Sequence, residues 1–175
     1  MQKEQININK IILVSSCLIG KPCAYDGKPR TNESVLKFCE KYGYIDVCPE
    51  ADGGLSCPRK RHEIKSGTGE DVLCGKAKVI NDAGEDNSDA FLRGAKCALN
   101  ICIESEIKVA IMKSKSPSCG KYKIHNGDFE GVLIDGSGVT AALLKKNDIK
   151  VFTEHEISMA SSLIDRHRES ESRKV

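Results

Sequence analysis

A chain of 175 residues with 39% hydrophobic residues can bury one core, and at this length one domain is the default. Aromatics make up 5% and Trp is absent, so that core is aliphatic. Basic and acidic residues nearly balance, 27 against 25, which excludes the concentrated basic face of a nucleic-acid-binding protein.

The longest apolar run, Ile11 to Val14, falls far short of the roughly 20 residues of a membrane span. The first ten residues carry no signal-peptide apolar core. A cytoplasmic protein with no membrane partner is the expectation. Nine cysteines is a high count for such a chain, and it is odd. A disulfide framework is therefore disfavoured, and metal or catalytic use gains weight. No C-x-x-C pair is present, which argues against a thioredoxin-like motif and common zinc ribbons.

Residues 1–10 form a polar lead. A first strand is expected over Ile11–Ser16, delivering Cys17 into a loop whose Asp26-Gly27 pair marks a turn. Asn32 reads as the N-cap of a helix over Glu33–Lys41, with Gly43 as its stop. A second strand, Tyr44–Val47, delivers Cys48-Pro49-Glu50. Ala51–Gly69 reads as a long irregular loop. Val72-Leu73 and Ala77–Ile80 read as a hairpin or edge strands.

Ser88–Glu106 is the clearest helix, with Ser88 as N-cap. Phe91, Leu92, Ala95, Leu99, Cys102 and Ile103 make its apolar face. A third strand, Val109–Met112, runs into K-S-K-S-P-S-C-G and Cys119. An extended piece is expected within Gly127–Ile134, a helix over Val139–Lys146, a strand over Ile149–Phe152 and a helix over Ile157–Arg168. Alternating strands and helices argue an α/β, Rossmann-like layered fold with a mainly parallel sheet. The expected organisation is a lead at 1–10, one α/β domain at 11–152, and a helix with a charged tail at 153–175.

Three apolar runs each finish in a cysteine, Cys17, Cys48 and Cys119. In an open parallel sheet, ligands bind outside the carboxyl ends of the strands. Three thiols at one mouth point to a metal or cluster. Cys23 and Cys57 sit in loops near that mouth, as a fourth ligand or neither. Cys39, Cys97 and Cys102 read as space-filling residues on helices, and Cys74 likewise fills space. Glu50 is either a proton-transfer group beside the site or a solvated loop acid. Ser116 and Ser118 are either hydrogen-bond donors to the site or ordinary turn residues. Arg59, Arg61 and His62 are either a substrate clamp or a solvated basic turn. His125 and His155 read as exposed. Gly136-Ser137-Gly138 before a helix has the form of a weak anion cradle.

C-L-I-G-x-x-C-x-Y-D-G, V-C-P-E, G-G-L-x-x-P-R, K-S-x-S-P-S-C-G and G-V-T-A-A-L-L occur here in one order. Together they resemble the domain-of-unknown-function 523 family, whose characterised members include thiouracil desulfidase, over about Ile11–Phe152. The resemblance implies a Rossmann-like fold carrying a 4Fe-4S cluster held by Cys17, Cys48 and Cys119, with one iron not bound by protein. It implies non-redox desulfuration of a thiolated pyrimidine, releasing hydrogen sulfide. Glu50 matches the family's acid/base residue, and Ser116 a substrate-side or proton-handling residue. Two positions depart from the family pattern. Ala24 stands where Arg is common, and Lys60-Arg61-His62 stands where a second proline is usual. Two competing readings stand beside this one. The first is a structural or sensory zinc protein using the three cysteines with Cys23 or Cys57. The second is a metal-free thiol protein with Cys119 as nucleophile.

Overall fold

The computed structural model of the protein describes residues 11–172, so the polar lead and the last tail residues lie outside them. Four strands form one parallel sheet: β1 (Ile11–Ser15), β2 (Gly43–Val47), β5 (Val109–Met112) and β8 (Lys150–Thr153), in the order β2-β1-β5-β8. These are the four strands expected from the apolar runs. Every residue of β5 is buried, as a strand covered on both faces requires.

The alternation of side chains along β1 sorts the two faces. Ile12 and Val14 pack with Val35 and Phe38 of α1 (Glu33–Lys41) and with Ala160 and Ile164 of α6 (Ile157–Ser172). Leu13 faces the other way, with Ala98 and Cys102 of α4 (Ser88–Glu104) and Leu144 of α5 (Val139–Lys146). The result is a three-layer α/β fold. A third apolar cluster joins α4 and α5 to Ile64, Val72, Val79 and Ile124. Among the described residues, no helix is long and apolar enough to cross a membrane.

Asn32 caps α1 as expected, its Oδ1 accepting from Val35 N at 3.1 Å. Other local expectations change. The stretch expected to be irregular, Ala51–Gly69, holds the end of α2 (Pro49–Asp52) and all of β3 (His62–Lys65). β3 pairs antiparallel with β4 (Lys78–Asn81), so the hairpin partner is not Val72-Leu73. Those two residues end α3 (Gly69–Leu73), started by a reciprocal capping box between Thr68 and Asp71. Gly43 opens β2 rather than stopping α1.

Asn87, not Ser88, occupies the N-cap of α4; the Ser88 hydroxyl instead accepts from Val79 N at 2.9 Å. The buried face of α4 is also rotated. Ala90, Gly94 and Ala98 are buried, whereas Ile103 is exposed. The small residues are there because α2 crosses α4 at backbone distance. A Cβ on Gly94 would overlap the Pro49 carbonyl, and one on Gly53 would overlap the Ala90 carbonyl. The extended piece expected near residues 127–134 is a short hairpin, β6 (Lys123–His125) with β7 (Leu133–Asp135).

Glu154, just past β8, is almost fully buried. It accepts from Lys113 Nζ at 2.6 Å, Ser114 Oγ at 2.7 Å and Ser114 N at 2.9 Å, tying the end of β8 to the start of the cysteine loop. Burial pushes its carboxyl up, but these bonds outweigh that and hold it below its ordinary value. A depressed carboxyl adds stability above its unfolded pKa and loses it as pH falls through the folded one. Glu154→Gln is therefore expected to lower stability by about 1–3 kcal/mol at neutral pH. The gap to the parent closes as the pH drops below about 4. Urea unfolding at both pH values checks it; an equal gap at both would refute the assignment.

Candidate active site

The chain leaves β1 toward β2 on one side and reaches β5 on the other, so the switch point of the sheet lies at β1. Ligands gather outside the carboxyl ends of strands at such a point. Cys17 follows β1, Cys48 follows β2, and Cys119 lies seven residues beyond β5. All three line one cavity of about 250 Å³, with Glu50 and Ser116 in the same wall. The five residues singled out from the sequence are thus brought together.

Each is fixed by a local device. Cys48 is the residue before α2, and Pro49 takes the first helical position, where a missing N–H costs nothing. Cys119 is held by its loop. Ser116 Oγ accepts from Ser118 N and Cys119 N, both at 3.0 Å. The loop itself is pinned to α5: Val139 N donates to Pro117 O at 2.9 Å and Thr140 N to Ser118 O at 2.9 Å. A Cβ on Gly138 would collide with the Ser118 backbone, which explains the glycine. The anion cradle expected at Gly136–Gly138 is therefore already taken, because the cysteine loop's own carbonyls fill the helix N-terminus. Ser118 is fully buried and does not line the cavity; its hydroxyl pairs with Thr140 Oγ1 at 2.8 Å and also bonds to the Cys119 thiol, supporting that thiol from behind.

Glu50 is not a solvated acid. Its side chain is 13% exposed, and Arg59 Nε donates to Oε2 at 2.7 Å. Arg59 also reaches Cys23 O at 3.1 Å, so it ties the acid to the loop after β1. The solvated-turn reading of Arg59 and His62 falls with this: the Arg59 side chain is 5% exposed, and His62 is buried on β3. His125 also lines the cavity, whereas His155 is exposed as expected.

Cys23 lines the cavity beside Cys17 and Cys48, and the Cys48 thiol donates to the Cys23 carbonyl at 3.6 Å. The neighbouring Cys17 thiol is the main reason the Cys23 thiol is pushed up to about 11. Burial pushes Cys119 up to about 12. The hydrogen bond with Cys23, then burial, raises Cys48. Such thiols ionise when a metal takes the sulfur, since a coordinating thiol is deprotonated outright. Cys57 is exposed and spends its thiol on Pro22 O at 3.1 Å and Ala24 O at 3.5 Å. Cys39 and Cys102 are core residues as expected, but Cys74 is exposed and fills no space.

Among the described residues, no group of three His, Cys, Asp or Glu side chains stands out as placed to hold a metal ion. The lining charge fits an anionic iron–thiolate group. Arg30, Arg59, Arg61, Lys113 and Lys115 face the cavity against one carboxylate, Glu50.

The family model described as 2-thiouracil desulfurase matches residues 12–156. Uncharacterized protein YbbK of Bacillus subtilis (strain 168) is 45% identical over 148 residues, which is 85% of this chain and 98% of YbbK. A solved structure of the 4Fe-4S-dependent thiouracil desulfidase TudS matches with a TM-score of 0.77 at 36% identity, covering 90% of this chain and 99% of that one. With its three strand-end cysteines around one cavity, this chain belongs to the 2-thiouracil desulfurase family.

Proposed function

We propose that this protein replaces the sulfur of a thiolated pyrimidine such as 2-thiouracil with oxygen from water, releasing hydrogen sulfide. It does so with a 4Fe-4S cluster held by Cys17, Cys48 and Cys119, one iron having no protein ligand. The observation that carries this reading is the meeting of three strand-end thiols with a buried, Arg-held carboxylate in one cavity. Bound there, the cluster supplies a thiophilic Lewis acid for the thiocarbonyl sulfur.

The chain's own residues supply the rest. Glu50 takes a proton from the attacking water and returns one to the departing sulfide, so no electron enters or leaves. Arg59 holds that carboxylate on one oxygen and leaves Oε1 for the proton. Ser116 accepts two backbone N–H groups, which leaves its hydroxyl proton to donate toward the substrate side. Anaerobic protein carrying its cluster is expected to convert 2-thiouracil to equal amounts of uracil and sulfide without added reductant. No sulfide from any thiolated pyrimidine, with the cluster intact, would end this reading.

Cys23 and Cys57 are not needed to hold the cluster. Cys57 is committed to the Pro22 and Ala24 carbonyls, and Cys23 meets Cys48 through its backbone carbonyl at 3.6 Å. Cys23→Ser and Cys57→Ser are each expected to keep the parent's iron and acid-labile sulfide content. Loss of iron in Cys23→Ser would mean a closed four-thiolate site.

A further inference from the structure

Tyr25 stands in the cavity wall with much of its side chain uncovered. It lines the cavity together with Cys17, Cys48 and Glu50, and it is 43% exposed. Among the described residues, no other Phe or Tyr lines that cavity. His62 lines it too, but that ring is 6% exposed and packs against Phe91, so it presents little open face.

The loop that carries Tyr25 is tied to the site. Gly27 N donates to Ala24 O at 2.8 Å, closing a turn with Tyr25 and Asp26 at its centre. Arg30 N donates to Cys17 O at 2.8 Å, which fastens the loop to one of the three strand-end cysteines. Arg59 N donates to Tyr25 O at 2.7 Å, and Arg59 Nε grips Glu50 at 2.7 Å. One arginine thus anchors both the tyrosine backbone and the carboxylate. The Arg30 guanidinium lies over the Tyr25 ring, 6.0 Å from its centroid, and is held there by Asp26 at 2.9 Å. Among the described residues, no second cation or aromatic ring packs on Tyr25.

An aromatic ring fixed in place and left open keeps apolar surface in water. A flat heterocycle covers that surface by stacking, an interaction open to any base because every base has a π-face. We propose that Tyr25 is the stacking platform of the site, against which the substrate's pyrimidine ring lies flat beside Glu50 and the three cysteines. This rests on the desulfidase reading and adds selection for a planar ring to it.

The test uses cluster-loaded protein and two uncharged ligands, uracil and dihydrouracil. Both carry the same ring N–H and carbonyl groups, but only uracil is flat and aromatic. Calorimetry is expected to show the parent binding uracil at least about fivefold more tightly than dihydrouracil. Tyr25→Phe keeps the ring and keeps that preference. Tyr25→Leu keeps apolar bulk and removes the flat face. With iron content unchanged, its uracil affinity drops at least about fivefold and its preference falls below about twofold. Its loss on 2-thiouracil sits in KM rather than kcat, as removal of uniform binding requires. Should the Leu variant not fold, Tyr25→Ala is read by the same ratio. No preference in the parent, or an undiminished preference in Tyr25→Leu, overturns the proposal. So does a Tyr25→Phe protein that behaves like Tyr25→Leu, since the hydroxyl and not the face would then be the contact. If the parent releases no sulfide at all, the desulfidase reading falls, and the uracil-to-dihydrouracil ratio in parent and variant still decides on Tyr25.

Discussion

Glu50→Gln is expected to keep its full iron and sulfide content while losing roughly 100- to 10,000-fold in the rate of sulfide release, the span typical of a positioned proton-transfer group. Glutamine keeps the shape of the side chain and an oxygen for Arg59 Nε, so the Glu50–Arg59 contact at 2.7 Å has a neutral substitute. What disappears is the titrating oxygen. The loss should appear in kcat more than in KM, since the role proposed for the carboxylate is on water and the departing sulfide rather than in ground-state binding. Iron content and initial rate, measured on one preparation, separate the outcomes. Full activity would pass the proton work to another group, with the Ser116 hydroxyl of the same cavity wall the next candidate. Loss of iron together with activity would make Glu50 structural.

Gly94→Ala is the second large effect, and it acts from outside the cavity. A methyl group there overlaps the Pro49 carbonyl, so α2 has to move off α4. Pro49 stands between Cys48 and Glu50, so any shift of α2 moves both. Overpacking of this kind costs about 1–3 kcal/mol. At this chain length that lowers the melting temperature by roughly 2–4 °C for each kcal/mol. Alanine's better helix propensity, worth about 1 kcal/mol, offsets part of it. The loss of rate should be larger than the loss of stability suggests, because a displacement of about 1 Å in a reacting group costs on the order of 100-fold. A melting curve and a rate assay check this. A variant with parental rate and melting temperature would show that the α2–α4 crossing does not set the site.

Much of the architecture is legible in the sequence because the central strands are apolar on both faces. Ile11–Val14 and Val109–Met112 need no alternation to be recognised, since helices cover both sides. β3 escapes that logic. His-Glu-Ile-Lys looks like loop, yet Glu63 is buried because its carboxylate accepts from Gly127 N and Phe129 N, both at 3.0 Å. Only the tertiary partner makes that burial tolerable. Val72-Leu73 suggested a strand by residue type, whereas the Thr68 and Asp71 capping pair carried the better signal. The rotated face of α4 was marked by Gly94, since a glycine inside a helix calls for a close-packing reason.

The candidate site divides along the same line. Cys17, Cys48, Cys119 and Glu50 were visible because each follows an apolar run or a ligand position. The Arg59–Glu50 contact and the buried His62 were not, because both depend on the loop after α2 folding back over the cavity. The committed N-terminus of α5 was hidden for a related reason: the carbonyls that fill it come from residues about twenty positions earlier.

The central claim is that Cys17, Cys48 and Cys119 hold a 4Fe-4S cluster with one iron left for the substrate's sulfur. The Mössbauer spectrum of protein loaded anaerobically with iron-57, recorded with and without 2-thiouracil, tests it most directly. The account predicts a three-to-one division of the iron signal, in which only the minority component changes when 2-thiouracil is added. Four irons that all stay unchanged on addition of 2-thiouracil would contradict it.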